Sequence, residues 1–315
     1  MPETSDVRGW FDTHTHRAQQ FDAAALVPLK GDRRISVLIP ARDEEATVGA
    51  IVTTLRTQLV ERVPLVDEII VIDSHSTDAT SDVARAAGAK VFHVDEIVPE
   101  VGSRTGKGEA MWKALAVMTG DIGIYLDADV QEFTADFVVG LLGPLLTDDG
   151  LVFVKAFYDR PWSTGAARSS GGGRVTELVA RPLILERSPA LSGFVQPLAG
   201  ECAFRAEALR AVPFVSDYGV DIGLMIDVLR DHGLSAMAQV DLGLRLHRHQ
   251  DLAALSAMTQ HVRAAFDLRA DPGGPDEVES TATLFRREGE TMQLVERTTT
   301  TVQRPPMDQV LSHRR

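Results

Sequence analysis

Three short, β-branched apolar runs, each closing on a cluster of polar residues, constrain this chain most. Ile35-Ser36-Val37-Leu38-Ile39 runs into Pro40-Ala41-Arg42-Asp43-Glu44-Glu45. Glu68-Ile69-Ile70-Val71-Ile72 runs into Asp73-Ser74-His75-Ser76-Thr77-Asp78. Asp121-Ile122-Gly123-Ile124-Tyr125-Leu126 runs into Asp127-Ala128-Asp129. Runs of this length and composition read as buried strands. Helical patterns separate them, over Thr47 to Leu59, Thr77 or Asp78 to Ala87, and Gly108 to Thr119, with Lys90–His93 as a further strand. Strand and helix in alternation with short connections predict an α/β fold, a doubly wound and mostly parallel sheet. In such a sheet ligands collect beyond the carboxyl ends of the strands, so the three polar clusters are expected to converge on one crevice.

Two carboxylates one residue apart, where a core strand leaves the interior, suit a hard divalent cation held through oxygen. A short acidic turn is the alternative for Asp127-Ala128-Asp129. Caps and Asx turns are the alternative for Ser76, Thr77 and Asp78.

The chain has 315 residues, and its 44% hydrophobic content suffices for one large domain. Its single cysteine, Cys202, excludes an intramolecular disulfide and any multi-cysteine metal site. No apolar run is long enough to span a membrane, and the amino terminus lacks a signal-peptide pattern, so a soluble cytoplasmic protein is expected. A net charge of −13 argues against nucleic acid as a partner. An acidic protein that binds anions must concentrate positive charge locally, by a metal, basic side chains or helix amino termini.

Two glycine-rich helix entries offer such places. Thr105-Gly106-Lys107-Gly108-Glu109 combines exposed amides with Lys107. It has neither P-loop nor dinucleotide-binding spacing, and a turn with a solvated lysine is its alternative. Ser169-Ser170-Gly171-Gly172-Gly173-Arg174-Val175-Thr176-Glu177 combines open backbone amides with a guanidinium and a hydroxyl; a flexible linker is its alternative. Further on, Arg245-Leu246-His247-Arg248-His249 follows a strand over Ala236 to Leu242, and an imidazole there could complete a metal site begun by Asp129; surface histidines are the alternative. Asp221 opens a helix running to His232. The pair His14 and His16, in Phe11-Asp12-Thr13-His14-Thr15-His16, precedes no apolar barrel strand and is read as a chance match to a metal pair. A leader with a short helix around Arg17 to Leu29 precedes the first strand. The tail beyond about Leu268 is expected to be partly irregular or to pack across a partner.

These residues together resemble the GT-A glycosyltransferases, and within them the family of retaining glucosyl-3-phosphoglycerate synthases, which includes a mannosyl-3-phosphoglycerate synthase. The resemblance runs from about Ser36 to about Leu255. It rests on Pro40 through Gly49, Asp73 through Asp78, Gly106 through Ala110 and Asp127-Ala128-Asp129. It rests most specifically on Gly171-Gly172-Gly173-Arg174-Val175-Thr176-Glu177-Leu178-Val179-Ala180-Arg181-Pro182-Leu183, with Tyr218 through Leu224. It implies a Rossmann-like GT-A sheet with a smaller carboxy-terminal acceptor-binding part. The corresponding divisions are a leader at 1–33, a nucleotide-sugar half at 34–150, an acceptor-binding and catalytic half at 151–268, and a tail at 269–315 that could lie at a dimer interface.

The resemblance also implies roles. Pro40, Ala41, Glu44 and Ser74 would hold the uridine of UDP-glucose, with Lys107, Asp127 and Ala128 also on the donor. Asp129 and His247 would bind Mg²⁺ or Mn²⁺. Gly173, Arg174, Thr176 and His249 would hold 3-phosphoglycerate. Asp129, Leu198, Asp221 and Arg245 would lie about the reacting centre, in a protein that forms a homodimer. The chain departs from the family pattern at Asp221 (usually Glu), His249 (expected Asn), Ala128 (a small hydroxyl residue) and His75 (Gly). The activity implied is metal-dependent retaining transfer of glucose from UDP-glucose to the 2-hydroxyl of 3-phospho-D-glycerate. Alternatives are another donor or acceptor on the same fold, such as GDP-mannose or GDP-glucose, a nucleotidyltransferase, and a non-catalytic sugar-nucleotide binder.

Overall fold

A computed structural model describes residues 4–161, 168–169, 173–244, 252–271 and 273–313. The strands are β1 (Thr15–Arg17), β2 (Ile35–Ala41), β3 (Glu68–Asp73), β4 (Lys90–His93), β5 (Ile122–Tyr125), β6 (Phe153–Pro161), β7 (Arg168–Ser169), β8 (Cys202–Arg205), β9 (Phe214–Val215), β10 (Met237–Leu244), β11 (Glu277–Glu288) and β12 (Thr291–Arg304). Among the described residues, nine of them form one sheet in the order β1-β10-β6-β8-β5-β2-β3-β4, with β7 paired to β6. β8 runs against both of its neighbours, β5 and β6, and β7 runs against β6; every other pairing in the sheet is parallel. The carboxyl ends of β2, β3, β5, β6 and β10 therefore lie along one edge.

The pleat sends alternate side chains to opposite faces, and both faces are covered. Leu38, Ile70, Ile72, Tyr125 and Phe153 pack into one core layer. Val37, Ile39, Ile69, Val71, Ile124 and Val154 pack into the other. Helices over Val48–Leu55, Thr80–Ala87, Lys107–Val117 and Val220–His232 fall where the sequence pattern predicts them, within a few residues, and a further helix covers Asp136–Thr147.

Two expectations change. The helix expected around Arg17 to Leu29 begins at Ala23, because Asp22 caps it by accepting the Ala25 amide at 3.0 Å, and a further helix over Thr4–His14, which the sequence reading did not foresee, precedes it. Thr15–Arg17 instead pairs with β10 at the border of the sheet. The tail is not irregular. Glu277–Glu288 and Thr291–Arg304 form a long antiparallel hairpin whose base pairs with β9. Its alternating Thr, Val and Leu residues carry strand propensity, but the positions it buries, Thr299, Thr301 and Arg304, are polar, which hid it from a reading based on apolar runs. Arg304 ties this hairpin to the main body. Its guanidinium makes two 2.7 Å bonds to the Glu109 carboxylate and lies over the Trp112 ring.

At the opposite edge from the polar clusters, Glu68 joins four elements. It accepts from the Ser36 hydroxyl at 2.6 Å, the Thr119 amide at 2.7 Å, the Thr119 hydroxyl at 2.9 Å and Lys90 Nζ at 2.7 Å. Burial alone would raise its pKa, but bonds from Lys90, Ser36 and Thr119 hold it down, from 4.5 to about 2. A lowered carboxylate pKa contributes stability that is complete above the ordinary value and fades as pH falls through the folded one. Glu68→Gln should therefore lower stability near neutral pH by on the order of 3 kcal/mol. The gap to wild type should narrow steadily between pH 4.5 and 2, as followed by urea unfolding. A gap that stays constant across that window contradicts this account of Glu68.

Candidate active site

The loops after β2 and β3 bond to each other. The Asp43 amide donates to Ser76 Oγ at 3.0 Å, and Asp43 Oδ1 accepts the Thr77 amide at 2.7 Å. The Glu45 amide donates to Asp78 Oδ2 at 3.1 Å, and Glu45 Oε2 accepts the Ala79 amide at 2.9 Å. The Glu44 amide donates to Thr80 Oγ1 at 2.8 Å. Asp43 and His75 sit in the left-handed backbone region, with φ of 55° and 63°, which sharp loop reversals require. Most of the acids and hydroxyls in these two clusters thus build the rim of the crevice.

Within that rim, Pro40 is half-buried, the Ala41 and Ser74 side chains are buried, and Glu44 is half-buried. The Ser74 amide donates to the Ala41 carbonyl at 2.9 Å, continuing the pairing of β2 and β3 past their ends. The Thr47 hydroxyl lies within hydrogen-bond reach of the Ala128 carbonyl at 2.7 Å and the Glu44 carboxylate at 3.2 Å, tying the β2 loop to the β5 loop. The Ala128 side chain faces inward, so only its backbone borders the crevice. Asp129 is half-exposed one residue further on.

The sequence-predicted residues Lys107, Asp127 and Asp221 meet. Lys107 Nζ lies 2.8 Å from Asp127 Oδ1 and 3.5 Å from Asp221 Oδ2. Burial would lower the Lys107 pKa, but the charges of Asp127 and Asp221 outweigh it and hold the ammonium charged. Asp221 stands in the first turn of the helix Val220–His232, whose amino terminus favours a carboxylate.

The glycines beside Lys107 serve packing more than anion binding. A Cβ on Gly106 or Gly108 would collide with the Ser216 or Val215 backbone, and Gly106 has φ of 111°. The Glu109 amide is bonded to the Ser216 carbonyl at 3.1 Å, so the expected row of open amides at this helix entry is partly occupied, and Lys107 itself is what faces the crevice.

Sequence reasoning missed three members of the site. Lys155 is a fully buried lysine in the middle of β6, and its Nζ lies 3.0 Å from Asp221 Oδ1. Its signal was a charge within the otherwise apolar run Leu151-Val152-Phe153-Val154-Lys155-Ala156-Phe157. Glu201, also fully buried, accepts the Tyr158 hydroxyl at 3.1 Å. Gly200 passes so close to the Asp127 carboxylate and Lys107 Nζ that a Cβ would collide with both. Leu198, two residues earlier, is half-buried on the same turn. Burial pushes the neighbouring Cys202 thiol up to about 12, which leaves it unreactive.

At the second glycine-rich entry, Gly173 is half-buried, Arg174 is exposed and Thr176 is buried, where the helical segment that continues through Arg181–Arg187 begins. Among the described residues, no three His, Cys, Asp or Glu side chains gather as a metal site. Arg245, His247 and His249 lie outside the described residues. Leu244, which ends β10, brings the chain to the same edge as Asp129. A half-exposed carboxylate at that edge is a hard oxygen donor of the kind that Mg²⁺ and Mn²⁺ take, so Asp129 fits the expected ion.

A mixed, mostly parallel sheet with acids, a charged lysine and a β-strand-end DxD along one edge defines a GT-A glycosyltransferase. The chain belongs to glycosyltransferase family 2, the family described as Glycosyl transferase family 2 matching residues 36–194. It is 47% identical over 256 residues to a glucosyl-3-phosphoglycerate synthase of Mycolicibacterium smegmatis, covering 81% of this chain and 84% of the relative. Its structure resembles mannosyl-3-phosphoglycerate synthase from Rubrobacter xylanophilus with a TM-score of 0.87 at 40% identity, over 96% of this chain and 99% of that one. It also resembles glucosyl-3-phosphoglycerate synthase from Mycobacterium tuberculosis in complex with Mn²⁺, UDP and phosphoglyceric acid. There the TM-score is 0.80 at 42% identity, over 92% of this chain and 95% of that one.

Gly200→Ala tests the close approach directly. The added methyl must displace Asp127 or Lys107, so turnover should fall at least about tenfold with a thermal midpoint within a few degrees of wild type. Undiminished turnover would mean that the pair does not occupy this position in the working enzyme.

Proposed function

We propose that this protein transfers glucose from UDP-glucose to the 2-hydroxyl of 3-phospho-D-glycerate, giving glucosyl-3-phosphoglycerate and UDP with retention at the anomeric carbon. The observation that carries the reading is Lys107, held charged between Asp127 and Asp221 at the strand-end crevice, with Asp129 two residues along the chain from Asp127. The likeness to the two phosphoglycerate glycosyltransferases supports the substrate pair.

Pro40, Ala41, Glu44 and Ser74 form the wall for uridine. Lys107 lies against the donor, with Asp127 and the Ala128 backbone beneath it. Asp129 and His247 would hold Mg²⁺ or Mn²⁺, which when bound neutralises charge on the diphosphate. Gly173, Arg174, Thr176 and His249 take the acceptor's phosphate. Leu198, Asp221 and Arg245 surround the reacting carbon. The acceptor hydroxyl attacks the anomeric carbon from the face that UDP leaves, and its proton passes to the departing β-phosphate oxygen. Lys107 and Arg245 stabilise the negative charge that develops on that group. Much of the acceleration comes from fixing two anionic substrates side by side.

A mannosyl donor is the second reading. It is favoured by the Rubrobacter likeness and by Asp221, whose carboxylate reaches one methylene less than the glutamate usual there. Among the described residues no helix is long and apolar enough to cross a membrane, and we read the enzyme as cytoplasmic. We also infer a homodimer, in which a second copy covers the exposed Phe285, Met292 and Leu294 on the hairpin.

Nucleotide release over a panel of UDP- and GDP-sugars with 3-phosphoglycerate tests the reading. UDP-glucose should lead, and release of pyrophosphate from nucleoside triphosphates would overturn it. Asp129→Ala should abolish metal-dependent turnover. Arg174→Ala should raise the acceptor KM at least about tenfold with the donor KM little changed; equal effects on both would contradict the placement of the acceptor phosphate.

A further inference from the structure

We propose that Lys155 is a positioning residue for transfer, setting the Asp221 carboxylate and the net charge of the crevice floor, and through them the choice of sugar. This rests on the donor reading above. Lys155 points from the middle of β6, between Gln239 of β10 and Cys202 of β8, and is almost wholly shielded from solvent. Its Nζ lies 3.0 Å from Asp221 Oδ1, while Lys107 Nζ lies 3.5 Å from Asp221 Oδ2 and 2.8 Å from Asp127 Oδ1. The four groups form a line of alternating charge: Lys155, Asp221, Lys107, Asp127. Each Asp221 oxygen is held by a different ammonium, so the carboxylate plane is fixed from below and from the side. A short aspartate can offer its remaining lone pairs to a sugar hydroxyl only in the orientation those two contacts set.

The line also sums to zero. Two ammonium groups balance two carboxylates within it, and the buried Glu201, whose charge also acts on Lys107, stands beside it. Removing Lys155 makes that floor one charge more negative in a poorly solvated place, where it repels the donor more strongly. A buried ion pair is weak evidence for stability, since well-packed apolar residues often replace one without loss. Its effect here is on geometry and charge at the site.

A double-mutant cycle separates this role from simple structural support. Lys155→Met should lower kcat/KM for UDP-glucose at least about tenfold, leave the KM for 3-phosphoglycerate within about twofold, and reduce the preference for UDP-glucose over its hexose epimers. Asp221→Asn should also be impaired. The combined variant, which restores the wild-type net charge of the floor, should be no worse than the poorer single variant and should recover donor KM relative to Lys155→Met. Additive losses, or an unchanged sugar preference with losses that track the thermal midpoint, would overturn the proposal. If Lys155→Met does not fold, Lys155→Gln carries the same cycle, since it keeps a hydrogen-bond donor and removes the charge. The cycle is run on whichever nucleotide sugar the wild type uses, so a mistaken donor shows in the wild-type panel and a mistaken Lys155 shows only in the cycle.

Discussion

The ion contacts of Lys107 with Asp127 and Asp221 are the interaction on which this site depends. They join three parts of the chain that are far apart in sequence: the helix at 107–117, the loop after β5 and the helix at 220–232. Each part is itself fixed by packing. Gly106 and Gly108 let the first helix press against the backbone of 215–216, Gly200 lets the next turn pass beneath Asp127, and the first turn of Val220–His232 presents Asp221. Lys155 extends the contacts down into the sheet. The charge pattern is therefore set by backbone approach, and small changes at glycine reach the chemistry through it.

The polar rim works differently. Asp43, Glu45, Ser76, Thr77 and Asp78 bond to one another across the β2 and β3 loops. In that pattern the acids satisfy backbone amides that would otherwise need water. Two acid-rich clusters that look alike in sequence thus divide into scaffold and site according to which amides stand within reach.

The parallel sheet was legible because its strands are buried on both faces and read as continuous apolar runs, and because each ends in polar residues. Lys107, Asp127 and Asp221 were singled out in the sequence, but their meeting was not foreseen, because Lys107 and Asp221 stand in the first turns of two helices that the strand pattern does not place against each other. β8 was not legible: Cys202-Ala203-Phe204-Arg205 is too short to stand out, and its reversed direction cannot be read from periodicity. Lys155 was passed over because one charge in an apolar strand carries no motif. The hairpin at 277–304 was hidden because both of its faces are largely polar, so the alternation that marks a half-buried strand is weak there.

A crystal structure with UDP-glucose, Mn²⁺ and 3-phosphoglycerate tests the central claim most directly. The account predicts glucose hydroxyls within hydrogen-bond distance of the Asp221 or Asp127 carboxylate, with Lys107 still between the two and the diphosphate on the Asp129 side. A hexose bound away from both carboxylates, or Lys107 withdrawn from them while substrates are in place, would contradict it.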